Sequence, residues 1–331
     1  MENWNGTSIQ VKIPMKYLFG IVICTYNRCE SLKKTLESLT HQACDWNSVA
    51  EIIIVDNNST DGTQQLVHSY KTTFKTELIF LKEEKKGKSH ALNLAINSSQ
   101  SDVLVFTDDD VILDPHWLDE MIRFFNENNV DVLGGRVLAL YPPKTPLWVR
   151  LNKKDLGGPH ISYDRGEGII DHSLRKLSEF PGVNVAYKRE VFKTAGLYDT
   201  DLGPGKGTLF EDIEMFQRAQ QTDKKIFYNG KALVWHPVEP KRMTLTYITQ
   251  WSYRHGKSAA IIESMKTKET FPSIFGVPRY LLRRVITKLM KLFLAVFQPK
   301  LFLKCWNAFY FDLGMIAGYA KYKRFNAPQK I

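Results

Sequence analysis

Two hydrophobic periods alternate along the first part of the chain. Apolar, β-branched runs at 19–24 (FGIVIC), 51–55 (EIIIV), 78–81 and 103–106 predict four short strands. Between them the spacing shifts to three and four. Leu32, Leu36 and Leu39 share one helical face, Ser59, Thr60 and Asp61 offer N-caps to a second helix, and Ala91, Leu92, Ala95 and Ile96 line a third over 89–97. Asp114-Pro115 supplies the N-cap and first-turn residues of a fourth helix carrying Trp117, Leu118, Met121, Ile122 and Phe125. Strands interleaved with helices of this size predict an α/β, mostly parallel, doubly wound sheet. From 134 to 236 the pattern becomes irregular, with Gly/Pro loops at 141–146, 157–159 and 203–207. Helical spacing returns at 245–264, and two apolar, aromatic, lysine-punctuated stretches follow at 280–297 and 301–322. The expected divisions are 1–17, 18–133, 134–244 and 245–331.

In such sheets ligands bind beyond the carboxyl ends of the strands, where strand order reverses. Three of the predicted ends carry polar chemistry: Thr25-Tyr26-Asn27-Arg28, Asp56-Asn57-Asn58-Ser59 and Thr107-Asp108-Asp109-Asp110. Carboxylates two apart at a strand end can share one hard cation, and a divalent ion there can bridge a diphosphate. The triplet could equally be a solvated turn, but three such ends together mark a site. Asp56 could be the carboxylate of an Asx turn at a helix start, and Lys86 and Lys88, within the run 82–88, could be solvated.

Charge narrows the partners. The 331 residues carry 45 Lys/Arg against 35 Asp/Glu, a net +10 that would ordinarily suggest nucleic acid. Eleven of those bases, and Asp312 as the one acid, lie from Arg279 onward, which leaves 34 of each sign before it. A neutral body with a basic, aromatic tail points to an anionic membrane surface and not to nucleic acid. Met1 to Gln10 is polar, so a secretory signal is not expected. The four cysteines are scattered without metal-ligand pairing and read as reduced thiols.

Six segments carry a resemblance. Cys24-Thr-Tyr-Asn-Arg28, Val55-Asp-Asn-Asn-Ser-Thr-Asp-Gly-Thr63, Lys86-Gly-Lys-Ser-His-Ala-Leu-Asn93 and Phe106-Thr-Asp-Asp-Asp110 come in the order and spacing of family 2 glycosyltransferases, and the segments 180–190 and 210–218 continue the match. The chain resembles that family, of the bacterial surface-polysaccharide type, over roughly 18–240. The resemblance implies a GT-A fold, with 18–133 holding a nucleotide-sugar donor and 134–244 the acceptor and catalytic groups. It implies that Asp56 and Thr25 receive the donor base, with Tyr26, Arg28, Lys88, Asp108 and Asp109 also on the donor. It implies that Asp110, Asp108 and His236 hold Mn2+ or Mg2+, and that Asn184 and Glu211 face the acceptor. Asp212, the second acid of the Glu211-Asp212 pair, is then the catalytic base of an inverting transfer, which needs one carboxylate to take the acceptor hydroxyl's proton.

The processive relatives carry Q-x-x-R-W. Gln250-Trp251-Ser252-Tyr253-Arg254-His255 has the wrong spacing, which argues for addition of a single sugar. The expected partners are a nucleotide sugar, a UDP-sugar first, and a polyprenyl-linked or polysaccharide acceptor. The expected place is the cytoplasmic side of the cell membrane. There Leu281, Leu282, Val285, Ile286, Leu289, Leu292 and Phe293 form one apolar face of an interfacial helix, with Arg283, Arg284, Lys288 and Lys291 elsewhere. A helical subdomain packed on the catalytic body is the other reading of this tail. A protein that keeps the fold without catalysis, serving a polysaccharide-synthesis complex, is the alternative function. A phosphoryl-transfer enzyme would need its acidic pair after the first strand, which here ends in Cys-Thr-Tyr-Asn-Arg.

Overall fold

A computed structural model describes residues 16–173, 180–266, 272–274 and 276–326. Of the expected divisions, 1–15, 174–179, 267–271, 275 and 327–331 lie outside them. The four predicted strands form as β1 (Phe19–Thr25), β2 (Val49–Asp56), β3 (Glu77–Lys82) and β4 (Val103–Asp108), each slightly longer than its apolar run. Helices α1 (Cys29–Thr40), α2 (Thr63–Ser69) and α3 (Lys88–Ser98) connect them. A two-residue β5 (Ile112–Leu113) leads to α4 (Trp117–Glu127), and β6 (Val132–Leu140), α5 (Leu147–Leu151) and β7 (Ile169–Asp171) follow. Then come β8 (Asn184–Lys188), α6 (Arg189–Ala195), α7 (Glu211–Gln220), β9 (Ile226–Pro237) and the long helix α8 (Leu245–Lys266). A short hairpin of β10 (Ser273–Ile274) and β11 (Val277–Pro278) precedes α9 (Arg279–Leu294) and α10 (Pro299–Asn326).

One sheet organises the body, in the order β3-β2-β1-β4-β8-β6-β9-β5, with β7 also on β9. The half β3-β2-β1-β4 is parallel, while β8 enters antiparallel between β4 and β6. Successive residues of β1 feed opposite faces: Phe19, Ile21 and Ile23 pack with Leu32, Leu36 and Trp117, whereas Val22 and Cys24 pack with Ala91, Leu92 and Phe216. A strand covered on both faces reads as an unbroken apolar run, which is why β1 and β2 were legible. The expected division at 133/134 falls inside β6, so the two halves share a single sheet. The division at 245 coincides with the start of α8. Asp114 does not open α4 directly: its carboxylate accepts from the His116 N–H at 3.0 Å, and the helix starts at Trp117.

The last three helices pack together and on the body. Where α8 crosses α10, a Cβ on Gly256 would lie 1.8 Å from the Phe311 carbonyl, and one on Gly314 would lie 2.0 Å from that of Tyr253. The two backbones approach that closely only because both positions lack a side chain. Asp312 does not interrupt α10. It is fully buried in a continuous α10 and pairs with Arg284 and with Lys288 Nζ at 2.7 Å, both from α9. This corrects the expected face of α9. Arg284 and Lys288 turn inward to neutralise a buried carboxylate, and Leu281 packs inward with them. Ile286, Leu289 and Phe293 are left exposed. No described helix is long and apolar enough to cross a membrane.

Candidate active site

Strand register assembles the site. Thr25 at the end of β1 lies opposite Asp56 on β2, and Cys24 lies opposite Asp108 on β4. The loops beyond are tied to one another. The Asn27 carboxamide accepts from the Thr60 N–H at 2.8 Å, and the Cys29 N–H donates to Asp61 at 3.0 Å. Asn57 donates to the carbonyls of Glu83 and Lys85 and accepts from the Gly87 N–H at 2.9 Å, so the second strand end holds the lysine loop in place. Asp56 is buried and accepts from the Ser59 N–H at 2.9 Å through Oδ1, the Asx turn the sequence left open. Thr25 is buried beside it, and Tyr26 is 52% exposed at the rim.

Every carboxylate of the triplet faces a cation. Lys88 Nζ lies 2.5 Å from Asp108 Oδ1 and 4.0 Å from Glu211 Oε1. Arg28 donates to Asp109 at 3.2 Å and also to Asp110. Arg242 reaches Asp110 Oδ2 at 3.4 Å, and His236 Nε2 lies 3.3 Å from Asp110 Oδ1. Burial pushes the Asp109 carboxyl up to about 6, against the pull of Arg28. Burial works the same way on Asp110, yet His236, Arg28 and Arg242 together hold it well below the usual carboxylate range. Lys88 runs the opposite way: burial disfavours its charge, but Asp108 and Glu211 overcome that and hold the ammonium ionised.

The acidic pair opens α7, where carboxylates gain from the unsatisfied amides and dipole of the first turn. Glu211 is buried and Asp212 half-buried. Asp212 accepts from the Ile213 N–H at 2.9 Å and from the Gly182 N–H at 2.6 Å. A Cβ on Gly182 would lie 2.9 Å from that of Asp212, so only glycine lets this amide approach. Burial raises both carboxyls. Asp212 recovers part of the cost from its two amides and from Lys88, while Glu211 is pushed further up by Asp212 itself. Phe210, just before the pair, adopts a left-handed backbone (φ 73°) that bulky residues avoid. It is wedged against His255 and Trp251 of α8, with ring centroids 4.6 and 6.4 Å away. The Leu209 N–H also donates to Ser258 Oγ on α8 at 2.8 Å. The helical appendage thus sets the aim of the acidic pair.

A pH-dependent stability effect follows. Because Glu211 titrates higher in the folded chain than unfolded, its contribution is fully present below the ordinary carboxylate range and is lost as pH rises through its raised value. Glu211→Gln removes that loss. The variant is expected to melt roughly 2–4 °C above the parent at pH 8 and to show a smaller gain at pH 5. Scanning calorimetry at the two pH values checks this, and an equal or larger gain at pH 5 contradicts the assignment.

Two expected site residues behave differently. Asn184, expected at the acceptor, is fully buried on β8 with its amide wholly engaged. Its Oδ1 accepts from Trp117 Nε1 at 2.8 Å, and its Nδ2 donates to the carbonyls of Arg136 and Ala232 at 2.9 Å each. It ties β8 to β6, β9 and α4 and does not face the cleft. Asp108, expected to share an ion with Asp110, turns to Lys88 instead. Among the described residues no cluster of three or more His, Cys, Asp or Glu is poised for a metal ion. Asp110 and His236 do suit a hard cation completed by ligand oxygens. The imidazole is fully buried, and apart from the 3.3 Å approach of Nε2 to Asp110 neither ring nitrogen has a hydrogen-bond partner. Arg242 was missed from sequence: it sits beside Lys241 after Pro240 and looks like one more surface base, yet it is buried.

Residues 20–196 match the family described as glycosyl transferase family 2, more than half of the chain. The chain belongs to glycosyl transferase family 2. It is 26% identical over 258 residues to a glucosyl-dolichyl phosphate glucuronosyltransferase of Haloferax volcanii, covering 74% of this chain and 77% of that one. It is 24% identical over 238 residues to the succinoglycan biosynthesis protein ExoM of Rhizobium meliloti, covering 72% of each. The structure of the mannosyltransferase PcManGT from Pyrobaculum calidifontis, in complex with GDP-Man and Mn2+, superposes with a TM-score of 0.54 at 17% identity. It covers 94% of this chain and 76% of that one, and shows the same fold. The body of this glycosyltransferase is therefore a GT-A-like α/β fold, and its chemistry is sugar transfer.

Proposed function

We propose that this glycosyltransferase moves one sugar, with inversion, from a nucleotide sugar to a lipid-linked or growing surface-polysaccharide acceptor. The observation that carries the reading is two neighbouring ion-pair sets, Arg28 with Asp109 and Asp110 and Lys88 with Asp108 and Glu211, the second reaching from the end of β4 to the acidic pair. Arg28, Lys88 and Arg242 offer positive charge to a departing diphosphate, the interaction that grows most as the glycosidic bond breaks. Asp212, half-buried and hydrogen-bonded by two backbone amides, takes the proton of the incoming hydroxyl. Glu211, its carboxyl pushed up to about 7 by burial and by Asp212, lies beside it to hydrogen-bond the acceptor. Asp110 and His236 would hold Mn2+ or Mg2+, which when bound supplies Lewis-acid neutralisation of the diphosphate. The two relatives, one a glucosyl-dolichyl phosphate glucuronosyltransferase and the other a succinoglycan biosynthesis protein, favour acceptors of these two kinds.

Asp56 at the base end favours a uridine nucleotide, as does a donor pocket lined by Thr25. A panel of UDP-, GDP- and dTDP-sugars scored by thermal shift with Mn2+ tests this. Ligand at about a hundred times its Kd stabilises by roughly 2.7 kcal/mol, so a UDP-sugar is expected to raise the melting temperature by several degrees. Stabilisation by none of the donors, with or without metal, removes the reading. Stabilisation without any donor hydrolysis or transfer would instead support a binding protein that keeps the fold.

A further inference from the structure

We propose that the outer face of α9 docks the protein on an anionic lipid surface. Ile286, Leu289, Met290, Phe293 and Leu294 on the helix, and Phe297 in the turn after it, are all at least 40% exposed, and Phe297 reaches 93%. The positions 286, 289, 290, 293 and 297 recur at three and four, so they form one continuous stripe and not scattered contacts. Contiguous apolar surface of this kind on an otherwise ordinary globular body marks an interaction site.

The charges around the stripe select its occupant. The segment 279–298 contains no acidic residue. Arg279, Arg283 and Lys291 are exposed, and none of the three has an ion pair among the described residues. Arg284 and Lys288, the bases turned inward, are spent on Asp312 and fasten α9 to α10 in the orientation that presents the stripe. A second copy meeting this face symmetrically would bring base against base. A surface of phosphate headgroups over acyl chains complements both features at once. No described helix is long and apolar enough to cross a membrane, so the helix lies along the surface, with Phe293 and Phe297 below the phosphates and the three bases level with them.

The test uses the full chain and vesicles of phosphatidylcholine, alone or with about one-third phosphatidylglycerol. Sedimentation with the anionic vesicles is expected to be at least about ten-fold stronger than with the neutral ones and to weaken in high salt. The double variant Ile286→Glu/Phe293→Glu is expected to lose it about ten-fold or more, and Arg283→Gln/Lys291→Gln is expected to lose the preference for the anionic lipid. All four positions are exposed, so both variants are expected to melt and to hydrolyse donor as the parent does. Because vesicle binding is read without turnover, its failure is separate from any failure of the catalytic reading. Parent-like binding by both variants, equal binding to both lipids, or no vesicle binding with dimerisation that the double glutamate variant abolishes would each overturn the proposal.

Discussion

Asp212→Asn is expected to lower the transfer rate about a thousand-fold, within the range that loss of a general base produces, while nucleotide-sugar affinity changes little. The amide cannot accept the acceptor's proton. It also disturbs the local bonds, because one end of the side chain must now present N–H groups to either the Gly182 or the Ile213 amide, both of which are donors. That local cost is about 1 kcal/mol, too small to unfold the chain. Donor affinity by thermal shift and turnover by released nucleoside diphosphate separate the two effects. In the parent, the rate is expected to fall toward acid as Asp212 takes up a proton, at a pH above the usual aspartate range because burial raises it. In Asp212→Asn that acid limb should vanish from the residual rate. Turnover within ten-fold of the parent would strip Asp212 of its role.

The second large effect is expected at Asp110. Its carboxylate is approached by Arg28, Arg242 and His236 together. Asp110→Ala leaves the Arg242 guanidinium, with its side chain 8% exposed, without a counter-charge. Removing one partner from such a buried pair costs about 3 kcal/mol. Arg28 is 35% exposed and still has Asp109, so it adds little. The variant is expected to melt roughly ten degrees below the parent and to lose the stabilisation that Mn2+ adds in the presence of donor. Adding Arg242→Met should recover most of the melting temperature, because the unpaired charge has gone, but none of the metal-dependent donor binding. Recovery of both would make Asp110 a purely structural partner of Arg242. An alanine variant with normal melting and full turnover would remove Asp110 from the site altogether.

The parts of this protein legible in the sequence are those written in short-range order. The runs that became β1, β2 and β4 are unbroken because both faces of the strands are covered, and no pairing knowledge is needed to see them. The polar residues that follow each run had to lie at strand ends, and a parallel register then set Thr25 beside Asp56 and Cys24 beside Asp108. The start of α8 at Leu245 and the Glu211-Asp212 opening of α7 were likewise local signals.

Tertiary structure alone decided which of the many polar residues face each other. Asn184 shares a motif with the site, yet three partners from β6, α4 and β9 draw its amide into the core. Arg242 lies 132 residues from Asp110 and resembles any surface base until β9 carries the chain back along β5. Asp312 reads as a break in an apolar stretch, but two bases 28 and 24 residues earlier neutralise it, and by doing so they turn the apolar side of α9 outward. Periodicity reports the environment of one residue at a time, whereas an ion pair or an engaged amide belongs to two residues whose meeting only the folded chain arranges.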